Sequence, residues 1–97
     1  MRRLHTPITP SLSSADLWTR YRWSINPSER REAALLLAAR STDSAERSQR
    51  LLANQGWGND PLAAVTLKQQ ALIAAKLGQP SEEQKRWQDL LQRFPDS

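Results

Sequence analysis

A chain of 97 residues with net charge +4, no cysteine and one histidine has room for one small domain and excludes much chemistry. Without Cys there are no disulfides, thiolate metal sites, Fe–S clusters or thiol nucleophiles, and a lone His5 rules out multi-histidine metal sites. What remains is rich in Leu, Ala, Arg, Ser and Gln and poor in Gly, a helix-forming composition with its basic excess in the N-terminal half.

Residues 1–12 contain Pro7 and Pro10 and read as an irregular leader. The start carries the basic residues of a signal peptide but lacks the ~7–15-residue apolar stretch that must follow. A first helix begins at Ser13 or Ser14, either of which can cap it, with Asp16 in the first turn. Leu17, Trp18, Tyr21 and Ile25 then share one ~100° arc, and Trp23 falls on the far side of it. Asn26-Pro27 closes this helix, because the residue before proline is pushed out of the α region. The same pair opens the second helix as N-cap and first helical residue, with Glu29 in its first turn. Ala33 to Ala39 is apolar all round, so this helix packs on several sides before ending at Arg40.

Asp43-Ser44-Ala45-Glu46 repeats the capping pattern for a third helix with a weak stripe of Ala45, Ser48, Leu51 and Leu52. It stops near Asn54, and Gly56 is expected as its left-handed C-terminal cap. Residues 55–60 form the clearest loop. Asp60 or Asn59 caps the fourth helix, which carries Pro61 in its first turn, an apolar series from Leu62 to Leu77, and Gly78 as cap glycine. Ser81-Glu82-Glu83-Gln84 is expected to box the start of a fifth helix, with Trp87, Leu90, Leu91 and Phe94 on one face and Pro95 as its stop. No stretch approaches the ~18–20 uncharged apolar residues of a membrane span. The prediction is an all-α fold of about five helices over residues 13–97, paired as stacked antiparallel hairpins. Trp18, Leu36, Leu72, Trp87 and Leu91 are its expected core, with Gly78 as a structural turn. On this reading Trp87→Ala costs ~3–5 kcal/mol and Leu36→Ala ~2–5 kcal/mol.

Within residues 64–97, Leu67, Ala71, Gly78, Trp87, Leu90 and Pro95 fall at spacings that resemble a tetratricopeptide repeat. There, small residues let two helices approach and large ones fill the gap to the next repeat. Glu83 and Gln70 depart from the pattern, which prefers alanine and leucine at those places, and residues 30–63 do not repeat it in register. The resemblance implies a short α-solenoid with a concave groove for a peptide or protein partner. The ending Leu-Leu-Gln-Arg-Phe-Pro-Asp-Ser is similar to junctions in bacterial envelope repeat proteins, where another helix follows. The alanine-rich hairpins with Trp-bearing joints also resemble the helical superhelix of soluble lytic murein transglycosylases. That likeness implies a segment of a larger envelope enzyme without its catalytic domain. The Glu-Ser pair of the family's catalytic domain does not occur in this sequence.

Catalytic groupings fare poorly. Glu82 and Glu83 are adjacent at a helix start, where acids serve the helix dipole, whereas glycoside cleavage needs carboxylates ~5–9 Å apart across a cleft. His5 has no visible Ser, Asp or metal partner. No phosphate-loop, dinucleotide or zinc-protease motif occurs. No cofactor is expected. Arg20, Arg22, Arg30 and Arg31 lie among Trp18, Tyr21 and Trp23, and interleaved Arg and aromatics can hold phosphates and stack bases. Trp18 and Tyr21 read better as core. Arg20, Arg22, Trp23, Arg30 and Arg31 are therefore the expected partner surface, and Trp57 is expected to plug a joint between hairpins. The expected function is a non-catalytic interaction or scaffold module. The partner would be a protein, a peptide or the remaining domains of a larger chain. A small basic nucleic-acid binder is the alternative.

Overall fold

The computed structural model describes residues 11–96. The reading of the leader up to Pro10, His5 included, lies outside them. The described residues form five helices and no strand: α1 (Ser14–Trp23), α2 (Pro27–Arg40), α3 (Ala45–Leu52), α4 (Pro61–Lys76) and α5 (Pro80–Arg93). No helix among them is long and apolar enough to cross a membrane.

Local chemistry sets most boundaries. Ser13 caps α1 by accepting from the Asp16 N–H, Ser44 caps α3 through the Arg47 N–H, and Asp60 caps α4 through the Ala63 N–H. Asn26 accepts from both the Ser28 and Glu29 N–H groups, with Pro27 at the first helical position of α2. Two expected caps differ. Gly56 has no positive φ, and α3 ends instead through Ala53. What Gly56 supplies is room: a Cβ there would meet Gln70 Oε1 at 2.9 Å and Leu67 Cδ2 at 3.1 Å. At α5 the helix starts at Pro80, ahead of the Ser81 box, because proline at the first helical position presets the backbone.

Gly78 is the turn residue the pattern requires. Its φ is +69°, its N–H donates to the Ala75 carbonyl, and the Gln79 N–H donates to the Ala74 carbonyl. These two bonds make the left-handed close that satisfies the last carbonyls of α4. Gly78→Ala has open space around its Cβ, so only the backbone resists. It should cost about 1 kcal/mol by urea titration, against no change for Gln84→Ala on the exposed face of α5.

Each helix packs chiefly on its chain neighbours, α1 on α2, α2 on α3, α3 on α4 and α4 on α5. Side-chain ties show the directions alternating. Arg20 near the end of α1 meets Glu29 at the start of α2, while Arg40 at the end of α2 reaches the Leu12 carbonyl and the Ser14 hydroxyl. Gln49 of α3 bonds Gln79 in the α4–α5 turn, and Arg93 near the end of α5 bonds the Gly58 carbonyl before α4. One end of the array therefore holds the α1–α2 turn, the 53–60 loop and the end of α5. Leu17, Ala33, Leu37 and Leu51 form the core where α1, α2 and α3 meet, with Leu12, Trp18, Tyr21 and Leu36 packed partly against it. On α4, Ala63, Leu67, Ala71 and Ala74 are buried in one stripe.

The expected core changes in two places. Leu72 is 45% exposed and Leu91 is 59% exposed. Leu72 lies about half a turn from the Ala63–Ala74 stripe, and Leu91 lies ~100° beyond the buried Leu90, so each is left partly in solvent. Trp18, Leu36 and Trp87 are half-buried. Trp87 also places its indole N–H 3.0 Å from Glu83 Oε2, which occupies the glutamate that departs from the repeat pattern. Half-buried side chains lose less on truncation, so both expected costs move to or below the low end of their ranges. Ile25 lies beyond the end of α1 and faces solvent, because Ser24 already leaves the helix in an extended conformation.

Candidate interaction surfaces

Four of the five expected partner-surface residues gather around the α1–α2 turn, and the fifth does not. Trp23 is 75% exposed and Ile25 98% exposed. Arg22 and Arg30 flank them in solvent, and Arg22 lies 5.9 Å from the centroid of the Trp18 ring. Arg20 is partly buried and pairs with Glu29 at 3.4 Å. The turn itself is closed by its own side chains. The Ser24 N–H donates to the Arg20 carbonyl, the Asn26 N–H to Ser24 Oγ, and the Ser28 and Glu29 N–H groups to Asn26 Oδ1.

Arg31 is not on this surface. It is fully buried, and its guanidinium points across the molecule into the 53–60 loop. Nη1 donates to the Trp57 carbonyl at 2.7 Å, Nη2 meets Asp60 Oδ2 at 2.5 Å, and the guanidinium carbon stacks 3.8 Å from the centroid of the Trp57 ring. Arg93 ties the Gly58 carbonyl from α5. Trp57 thus covers a buried arginine with its ring and is itself partly open to solvent. Helical phase places Arg31 beside Ala34 and Ala38, a signal for burial, but nothing local shows that a loop 26 residues later folds back over it. The cluster is structural: every strong donor bond it makes ends on its own loop, and Asp60 also caps α4.

A second feature had no sequence signal as a site. An open groove of about 350 Å³ runs between α2 and α4 over α3. Leu35 and Ala39 line one wall, Val65 and Ile73 the other, and Leu52 lies between them. Ala39 and Val65 are exposed, and Lys76 is the charged residue on its lining. A neighbouring polar notch of about 320 Å³ includes Gln49, Arg50, Gln70 and Arg86. Much of it is already internally bonded: Gln49 to Gln79, Arg86 to Glu82, and buried Gln70 through Nε2 to the Leu52 carbonyl at 2.5 Å. Gln70 therefore closes the end of α3 at the place where the repeat pattern prefers leucine. Among the described residues no group of three or more His, Cys, Asp or Glu is placed to hold a metal ion. No protein-family model, curated protein or solved structure matches the chain.

Proposed function

We propose that the chain is a non-catalytic protein-interaction or scaffold module, and that the α2–α4 groove takes an apolar segment of a partner protein. The observation that carries this reading is the groove's lining. A chain with few large apolar side chains leaves Val65 and Ala39 in solvent beside Leu35 and Ile73. A half-open groove of about 350 Å³ suits the side chains of a helix or extended peptide better than an enclosed small molecule. Three of the carboxylates are engaged in the fold itself: Glu82 holds Arg86, Glu83 takes the Trp87 N–H, and Asp60 holds Arg31. Stacked antiparallel hairpins of tetratricopeptide-like form would use such a groove in this way. On the likeness to the lytic transglycosylase superhelix, the remaining domains of a larger envelope chain are one such partner. The nucleic-acid reading has less support, because Arg31 is buried and Arg20 is held by Glu29.

The test is a selection of peptides from a displayed library against the chain, followed by affinity measurement with Val65→Arg. Selected peptides should carry apolar residues at helical or alternate spacing. Val65→Arg should weaken them roughly tenfold or more by placing a charge where an apolar side chain docks. Equal affinity for the variant would contradict the groove. Steeply salt-dependent binding to DNA or RNA with no peptide binding would favour the alternative.

A further inference from the structure

We propose that the α1–α2 turn is a membrane-surface contact, in which Trp23 and Ile25 enter the headgroup region of an anionic bilayer while Arg22 and Arg30 meet its phosphates. The proposal stands apart from the groove, which lies over α3. Three observations on the turn converge on it.

The first is the protrusion. Trp23 and Ile25 are the two most exposed large apolar side chains described, and they stand two residues apart at the tip of one convex turn. A convex tip with an indole and an aliphatic side chain has nothing to enclose but can itself be enclosed. Indole rings favour the boundary between headgroups and acyl chains, where the apolar body and the N–H both find partners.

The second is the backbone. A segment entering a bilayer interface leaves water behind, and each unbonded N–H there is costly. This turn bonds most of its donors internally, with Ile25 the one residue of the tip whose N–H has no bond of this kind. The Ser24, Asn26, Ser28, Glu29 and Arg30 N–H groups bond to the Arg20 carbonyl, Ser24 Oγ, Asn26 Oδ1 and the Asn26 carbonyl, and Pro27 has no N–H. Entry into the headgroup region, which is still hydrated, therefore leaves only the Ile25 N–H to find a water or lipid oxygen.

The third is charge. Arg22 and Arg30 flank the apolar tip in solvent, and Arg20 offsets the nearby Glu29. The excess at the tip is positive and complements anionic lipid phosphates. Ile25 separates this partner from a single-stranded nucleic acid. Bases would stack on Trp23, but they gain little from an aliphatic side chain, whereas the hydrocarbon boundary gains from both.

The experiment uses the full chain with vesicles of phosphatidylglycerol mixed into phosphatidylcholine, and with phosphatidylcholine alone. Sedimentation should show partition onto the anionic vesicles and much weaker partition onto the neutral ones. The accompanying blue shift of tryptophan emission should vanish in Trp23→Ser. Ile25→Ser should weaken partition roughly five- to tenfold, and Arg22→Gln and Arg30→Gln about fivefold each. All four side chains are exposed, so circular dichroism should match the parent chain. Val65→Arg should not weaken partition, which separates this surface from the groove. Absence of partition onto anionic vesicles, or partition indifferent to Ile25→Ser, overturns the proposal. So does tight binding of a single-stranded oligonucleotide that Trp23→Ser abolishes and Ile25→Ser leaves unchanged.

Discussion

Asp60→Ala should destabilise the chain by about 3 kcal/mol in urea titration, more than Arg31→Met at the other side of the same ion pair. The asymmetry follows from burial. Arg31 is fully buried, whereas the Asp60 side chain is 46% exposed. Removing Asp60 strands a guanidinium inside the fold with the Trp57 carbonyl and ring as its remaining partners. That contributes about 2 kcal/mol, held down because water already reaches the carboxylate side. Loss of the α4 cap adds about 1 kcal/mol. Arg31→Met instead removes the buried charge, keeps most of the stem volume, and leaves a half-exposed carboxylate that water can solvate. Its cost should be about 1–2 kcal/mol, mainly the bond to Trp57 and the stacking contact. The double variant should cost less than the two single costs together, by about 1–2 kcal/mol of coupling. Additive costs, or Arg31→Met as the worse variant, would show that the pair does not fasten the loop as described.

Leu17→Ala should cost about 2–5 kcal/mol, which for a chain of this size is enough to leave a large unfolded fraction. Leu17 is fully buried where α1, α2 and α3 meet, among Ala33, Leu37 and Leu51. Beside Leu37, α2 presents Ala33 and Ala38 at this core, and these short side chains have little reach with which to close the gap. Leu91→Ala should cost under ~0.5 kcal/mol, since most of that side chain is in water already. Thermal or urea unfolding of the two variants side by side checks the pair. Equal losses would place a neighbour on Leu91 that the fold does not contain.

The helix starts were legible because their causes are local. Ser13, Asn26, Ser44 and Asp60 each bond an N–H two or three residues away, and the identity of those residues is enough to expect it. The turn at Gly78 was legible for the same reason. The placement of Trp23 off the α1 stripe was legible from phase alone. Leu72 and Leu91 were misplaced because periodicity says which side chains share a face, not whether a neighbour covers it. Gly56 was misread because a glycine serves either a left-handed backbone or a close approach, and here Gln70 and Leu67 occupy the space a Cβ would need. Arg31 and Arg30 are adjacent arginines, and what separates them is Trp57 and Asp60, more than 25 residues further on. Partners at that distance leave no local mark. The α2–α4 groove is likewise a product of packing, lined by Ala39, Val65 and Ile73, which the sequence shows only as members of the apolar stretches of α2 and α4.

The central claim is that this fold binds a partner protein through that groove, and the backbone amide shifts of the labelled chain test it most directly. On titration with a groove-selected peptide, the shifts should move at Leu35, Ala39, Val65 and Ile73, with the α5 residues Lys85 and Gln88 unmoved. Shifts confined to another face, or no peptide that moves the groove residues, would contradict it.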